Sequence, residues 1–453
     1  MRPTNQYNST NAWNVNLNNG NVNNNTKTNG NQVRLVSEFC KNPNSPVALD
    51  FLDFATSMVE AFYKCLRTKR TNPNAAFYAL RGLTSTIDLA EEVYLGIYQI
   101  SPGIIFVVRI PIPRECCAAT FRDRIVHDWV MIRMEPIYES VFPDAIMANR
   151  KGRGTLGAIL RAQQLVYDLT EGYTRDDLWI FQTDFRGFFM NIDKRIVNDA
   201  VQKLIDEHYE GRWKEILKRL FAQITFNCPQ LTATKRSPES TWRMIEPSKS
   251  LYSQDEWHGL PIGNLPSQWS ACVIIMLALL IFGRHGIEDI LSYMDDTNCF
   301  IRDKADFLRE LPAIERELKD ELNITLHPRK RNLQHYTKGW KMVGGKGRNG
   351  RLYASDRTLR RLGAKTHYLC KIHDTAKMMA TINSYFGLMS KFSTFKVRKE
   401  IATKILAVYG REVYFINHYH HAVLRKNLRP RIRIGRALLL IRKINGRHLR
   451  MAA

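Results

Sequence analysis

Ile290-Leu291-Ser292-Tyr293-Met294-Asp295-Asp296-Thr297-Asn298-Cys299-Phe300-Ile301 sets two adjacent carboxylates between two apolar runs. Short runs rich in β-branched and aromatic residues read as strands, so Ile290 to Tyr293 and Thr297 to Ile301 form a strand-turn-strand hairpin around Asp295 and Asp296. An Asp-Asp pair alone usually caps a turn or faces water; these apolar flanks make the arrangement far more specific. Upstream, Trp179 to Asp184 reads as a short buried strand ending on a third carboxylate. Strand ends in one sheet can bring the three acids together. Magnesium favours oxygen ligands, typically a few carboxylates plus substrate phosphates. Two such ions can activate an attacking hydroxyl and stabilise a departing pyrophosphate.

The chain around this hairpin is long and basic. Its 453 residues allow several subdomains. Lys and Arg number 67 against 43 Asp and Glu, a formal charge of +24 that calls for a polyanionic partner. The cations are spread along the chain rather than gathered beside an apolar span, which favours nucleic acid over a membrane surface. With no basic-then-apolar leader, and with Ala271 to Phe282 too short to span a bilayer, the expectation is a cytoplasmic protein. Eight cysteines without a C-x-x-C pair indicate neither a zinc ribbon nor a disulfide framework. His418, His420 and His421 read as part of a basic face, and no zinc is expected. No G-x-x-x-x-G-K-[ST] loop supports an ATP-driven machine.

Residues 1–32 hold thirteen Asn and few large apolar residues beyond Trp13, Val15, Leu17 and Val22, a composition that cannot build a core. Helical spacing starts at Val47 to Arg70 and returns at Arg122 to Val141, Gly154 to Leu169, Ile196 to Glu207, Arg212 to Ile224, Ser267 to Phe282 and Asp303 to Leu322. Ile104 to Ile112 reads as a strand, another lies near Ile324, and Trp340 to Tyr353 forms a hairpin. Cys228 to Gln254 is a polar insertion without an assigned role. From Ser355 onward the pattern is helical and basic.

Thr183-Asp184-Phe185, Gly259-Leu260-Pro261-Ile262-Gly263 and Tyr293-Met294-Asp295-Asp296, in that order, closely resemble the palm of reverse transcriptases, and the resemblance runs from about Val47 to Leu440. It implies an α+β right-hand polymerase fold: a disordered Asn-rich leader over 1–40, fingers and N-terminal helices over 41–178, palm over 179–350, and a basic helical thumb and tail over 351–453. The implied activity is RNA-directed DNA synthesis. Its partners would be an RNA template, a DNA or RNA primer and deoxynucleoside triphosphates, and its cofactor two Mg2+ ions, with Mn2+ as a substitute.

Residue by residue, the resemblance makes Asp184, Asp295, Asp296 and the backbone carbonyl of Phe185 metal ligands. Lys330 becomes a general acid near the pyrophosphate, although Arg329-Lys330-Arg331 also reads as a solvated basic run. Arg114, ahead of Phe121-Arg122-Asp123-Arg124-Ile125-Val126-His127, would contact the triphosphate. Phe189 would screen the sugar against a 2′-hydroxyl, with plain core packing of Phe188 and Phe189 as the alternative. Asp193 reads as a turn or cap residue. Arg150, Lys151 and Arg153 match a fingers motif that binds nucleic acid, or form a solvated basic turn. Gly344 and Gly345 resemble a primer-gripping hairpin, where missing side chains let a backbone come close.

Ile262-Gly263-Asn264-Leu265-Pro266-Ser267-Gln268 is similar to the I-G-x-x-x-S-Q pattern of reverse transcriptases from diversity-generating retroelements. Ile262, Gly263 and Gln268 would then line the substrate site. Most reverse transcriptases carry Gln where Ile262 stands; an amide can hydrogen-bond substrate, whereas isoleucine offers only apolar contact. This implies low fidelity at template adenines, used to diversify a target gene, with a template-repeat RNA and a small basic accessory protein as partners. Asn codons begin with two adenines, so the Asn-rich leader fits a reading frame that starts inside a template repeat; an ordinary low-complexity tail is the plain alternative. Two rival functions stand beside this one: a phage-defence or retron-type reverse transcriptase, and a non-catalytic nucleic-acid-binding protein on a polymerase scaffold.

Overall fold

The computed structural model describes residues 11–15, 22–26, 46–69, 72–109 and 112–425. In the Asn-rich leader, β1 (Asn11–Val15) pairs antiparallel with β2 (Val22–Thr26); the remainder of the leader and the tail after 425 lie outside the described residues. Helices α1 (Pro46–Lys69), α2 (Pro73–Ala79) and α3 (Gly82–Tyr94) lead to β3 (Ile104–Val108), β4 (Arg114–Ala118) and α4 (Phe121–Val141). Next come α5 (Gly154–Leu169), β5 (Trp179–Asp184), α6 (Phe188–Asn191), α7 (Lys194–His208) and α8 (Lys214–Phe226). The insertion contains α9 (Pro229–Thr232), β6 (Thr234–Lys235) and α10 (Glu239–Trp242), and α11 (Leu265–Arg284) follows it. The hairpin β7 (Ile290–Tyr293) and β8 (Asp296–Ile301) precedes α12 (Lys304–Leu322), β9 (Asn332–His335), β10 (Trp340–Met342), β11 (Gly345–Arg348) and β12 (Arg351–Ala354). The described chain ends with α13 (Asp356–Ile372), α14 (Thr375–Met389), α15 (Phe395–Tyr409), β13 (Val413–Ile416) and β14 (His421–Leu424). The α+β class expected from the sequence is the class observed.

The chain divides into two compact units. The first takes the chain up to Arg150, Asp184–Glu288 and Leu308–Arg329. There α1 buries Phe54, Met58, Phe62 and Cys65 along one stripe, and Phe54 meets Trp129 of α4 at a ring separation of 5.3 Å. A Thr120 cap starts α4 by accepting from the Asp123 amide, satisfying one of the orphan donors of a helix start. The apolar helix α11 is 20 residues long, longer than its Ala271–Phe282 run suggested, so length no longer argues against a membrane span. Burial does: 67% of its apolar window is covered, with Trp269 stacked on Tyr138 at 5.2 Å. The strand expected through Ile112 stops at Val108 and pairs with β4 on one side and, in parallel, with β6 on the other.

The second unit takes Lys151–Thr183, Asp289–Phe307 and the chain from Lys330. Its four-stranded sheet has the order β7-β8-β5-β9. Along α5, Ala158, Ile159, Ala162 and Val166 form one buried face, the spacing of a helix laid on a sheet. Strands β10, β11 and β12 form an antiparallel meander that leads into α13. Two sequence expectations fail here. The strand near Ile324 is only a single bridge between Leu326 and Phe185, and β9 lies later, at Asn332–His335. The C-terminal region is not helical throughout: β13 and β14 form a hairpin whose turn puts Asn417, His418 and Tyr419 at positive φ.

In the first unit, His285 at the end of α11 sits between Glu310 at 2.9 Å and Glu317 at 2.8 Å on α12. The Glu310 hydrogen bond, with Glu317 adding to it against the opposing effect of burial, holds this imidazole above its ordinary 6.5. A raised folded pKa stabilises fully below the unfolded value and is lost as pH rises through the folded one. The melting-temperature advantage of wild type over His285→Gln should therefore be complete below the ordinary 6.5 and shrink as pH rises above it, which thermal denaturation at a series of pH values would measure.

Candidate active site

Side-chain contacts fix how β5 and β8 run beside each other. Gln182 donates to Asn298 at 3.1 Å, and Arg302, just past β8, pairs with Asp177, just before β5, at 3.3 Å. Residue numbers that rise on one strand as they fall on the other describe antiparallel neighbours. Asp184 is thus the last residue of β5 and Asp296 the first of β8, its neighbour in the sheet. On the far side of β5, Gln182 pairs with Asn332 at the start of β9, so Lys330 enters the sheet where β5 finishes. Its side chain is exposed.

At the hairpin tip Tyr293 pairs with Asp296, leaving Met294 and Asp295 as a two-residue turn. Met294 sits at φ 57, a left-handed conformation costing a non-glycine residue about 1 kcal/mol or more. The Ser292 hydroxyl supports it by donating to the Met294 carbonyl at 2.8 Å. Asp296 is half-buried and accepts from the Val343 amide at 3.1 Å, which joins the hairpin to the turn before β11.

Two expected nucleic-acid contacts lie here, Gly344 in that turn and Gly345 at the start of β11. Gly344 is exposed at φ 88, and its carbonyl accepts from the Ser355 amide at the start of α13 at 2.9 Å. Gly345 is buried, and a Cβ there would meet Ile159 at 2.7 Å. Its missing side chain makes room for α5, so the expectation of a nucleic-acid approach at Gly345 is corrected.

Asp184, Asp295 and Asp296 supply the hard carboxylate oxygens that Mg2+ takes, so their donor chemistry fits that ion. Among the described residues, no three His, Cys, Asp or Glu side chains are gathered into a group that could hold a metal. The Asp184 carbonyl accepts from the His327 amide at 2.7 Å, and Phe185 is buried against Phe188.

Four of the expected substrate residues converge on β4 in the first unit. Arg114 opens that strand with its side chain exposed. Ile262 accepts from the Cys117 amide at 2.7 Å, and Leu260 donates to the Phe189 carbonyl at 2.8 Å. Phe189 and Ile262 pack on one cluster, Ile105, Cys117, Met190 and Leu251. Gly263 sits at φ 115, and a Cβ there would come within 2.5 Å of the Cys117 carbonyl, so only glycine fits between loop and strand. Gln268 lies in the first turns of α11, and its carbonyl accepts from Asn149 at 3.0 Å.

Solved telomerases are similar to this chain. Apo telomerase from Candida tropicalis truncated from its C-terminal domain matches with TM-score 0.40 and 11% identity, over 57% of this chain and 55% of that one. Apo telomerase from Candida tropicalis matches with TM-score 0.40 and 10% identity, over 69% and 58%. Telomerase from Candida albicans in complex with a TWJ fragment of telomeric RNA matches with TM-score 0.39 and 10% identity, over 69% and 55%. The chain spans a little over half the length of each. No family model and no curated protein sequence matches it.

Arg150, expected to bind nucleic acid, is buried instead. Its guanidinium donates to Glu139 at 2.9 Å and to the carbonyls of Phe142, Pro143 and Glu139, holding the chain after α4. Lys151 is exposed and Arg153 half-buried. The Phe121–His127 segment is likewise mostly structural. Buried Asp123 accepts from the Tyr98 hydroxyl and the Ser101 amide, Arg122 pairs with Glu92, and burial pushes His127 down to about 4. Asp193 caps α7 as expected. Sequence reasoning missed a cavity of about 520 Å3 lined by Phe77, Phe106, Lys69, Arg122 and Arg124, with no carboxylate in its lining. The rings and cations forming it come from three separate segments, so no local motif announced it.

Gly263→Ala should cost about 2 to 4 kcal/mol, read as a lower denaturant midpoint. Arg150→Met should cost about 2 to 3 kcal/mol and leave the salt dependence of nucleic-acid binding unchanged, whereas Lys151→Ala should lower that slope by about 1 without affecting stability.

Proposed function

We propose that this protein is an RNA-directed DNA polymerase. The observation that carries the reading is the antiparallel neighbourhood of β5 and β8: a strand ending on Asp184 lies beside one beginning on Asp296, with Asp295 in the adjoining turn. Bound there, Mg2+ would supply activation of a primer hydroxyl and charge neutralisation on a departing pyrophosphate. In this reading Asp184, Asp295, Asp296 and the Phe185 carbonyl hold the cations, and Mn2+ can replace Mg2+. Arg114 holds triphosphate oxygens, and Lys330 gives a proton to the leaving group. Phe189 fills the space a 2′-hydroxyl would need, selecting deoxynucleotides. The cavity of rings and cations suits a single-stranded RNA, whose bases stack while its phosphates meet Lys69 and Arg124.

The finer reading is a diversity-generating retroelement enzyme that copies a template-repeat RNA with errors at adenines, working with a small basic accessory protein in the cytoplasm. Ile262 supports it. Its side chain packs against the cluster of Ile105, Cys117, Met190 and Leu251, so it presents an apolar surface where an amide would offer a hydrogen bond. Fingers, palm and thumb correspond in this reading to 41–178, 179–350 and 351–453.

Primer extension by purified protein on a defined RNA template with magnesium tests both levels. Wild type should make DNA with misincorporation concentrated opposite adenine, Ile262→Gln should remove that bias, and Asp295→Ala with Asp296→Ala should abolish synthesis while RNA binding persists. Errors spread evenly over the four bases would sink the mutagenic role and keep the polymerase. Synthesis that survives loss of both aspartates would sink the polymerase site.

A further inference from the structure

The polar insertion at 228–254 is tied to the first unit at three places. At its base the ammonium of Lys194, 1% exposed, donates to the carbonyls of Asn227 at 3.3 Å and Glu256 at 3.0 Å, gripping both ends of the segment. Along its first half β6 extends the β4-β3 hairpin, and the Ser237 hydroxyl accepts from the Val107 amide at 2.9 Å. Near its end the buried carboxylate of Glu115, 2% exposed, accepts from the Ser250 hydroxyl and, at 2.8 Å, from the Leu251 amide. Lys235 lies over the Tyr252 ring at 4.1 Å, joining the two halves.

Glu115 stands between Arg114 and the Cys116-Cys117 pair on β4, and its bond to Leu251 presses that leucine into the cluster on which Phe189 and Ile262 rest. Leu251 also lies close under the Gly259 backbone, where an added Cβ would meet it at 2.8 Å. Any shift of Leu251 is therefore felt on both sides of the Ile262 loop.

We propose that residues 228–254 form a strap that sets nucleotide selection, with Glu115 as its latch and as a positioning residue for Phe189 and Ile262. The inference rests on the polymerase reading. Glu115→Gln keeps the size of the side chain but removes its charge, so the bond to Leu251 loses its charge assistance and the Ser250 hydroxyl has to turn and accept from the new amide.

The test uses the full chain, with Glu115→Gln and the milder Ser250→Ala. Hydrogen exchange should quicken at the freed end of the strap, 250–254, and in peptides covering 185–192 and 258–266, and stay unchanged in the second unit. In primer extension the KM for deoxynucleotides should rise about tenfold, the loss expected when hydrogen bonds to a charged group become neutral ones, with kcat within about twofold and an altered error spectrum. Glu115→Asp, which restores the carboxylate, should recover part of the KM. A merely structural role would lower the active fraction, so that kcat falls while KM and error spectrum stay; that result, or unchanged exchange at 258–266, overturns the proposal. If wild type makes no DNA, the polymerase reading falls and selection with it, whereas an active wild type with indifferent variants overturns the strap alone.

Discussion

A single carbonyl oxygen, that of Lys341, receives two side-chain amides: Gln182 from β5 at 2.6 Å and Asn298 from β8 at 3.1 Å. Because these amides also bond each other, the contact fixes the register of two strands and attaches β10 to them. A one-residue slip would turn every side chain of β5 to the opposite face, taking Ile180 and Phe181 out of their present packing. The position of Asp184 relative to its own strand partners, the entry point of Lys330 and the anchoring of the Val343 turn all follow from this register.

The hairpin at Asp295, the strand ending at Asp184 and helix α5 were legible because each pairs an uninterrupted apolar period with a clear stop. Strand β4 was not. Its sequence Arg-Glu-Cys-Cys-Ala hides the alternation, since the buried side is taken by a carboxylate and a thiol instead of aliphatic residues. Glu115 can be buried only because Ser250 and Leu251, more than 130 positions away, supply its donors, and no local reading carries that information. Arg150 misled for a similar reason. At the head of an Arg-Lys-Gly-Arg-Gly run it looks like a phosphate contact, yet carbonyls and a carboxylate from the end of α4 use up its donors.

At the candidate site, the common support of the residues read as substrate contacts was not legible. Phe189, Ile262 and Gly263 come from two segments about seventy positions apart and meet at β4, a strand the sequence concealed. The carboxylates were identified from their strand-end context, and the pairing of β5 with β8 gives that context its geometry.

Lys194 has a further consequence. A segment whose two ends are held by one buried ammonium has its closure already fixed at the base, whatever lies between. Closure entropy grows only as the logarithm of length, about 0.6 kcal/mol for each doubling. The 228–254 excursion can therefore lengthen or shorten at little thermodynamic cost, provided that the clamp, the β6 pairing and the Glu115 latch survive, which makes it a place where the chain can absorb new sequence without rebuilding its core.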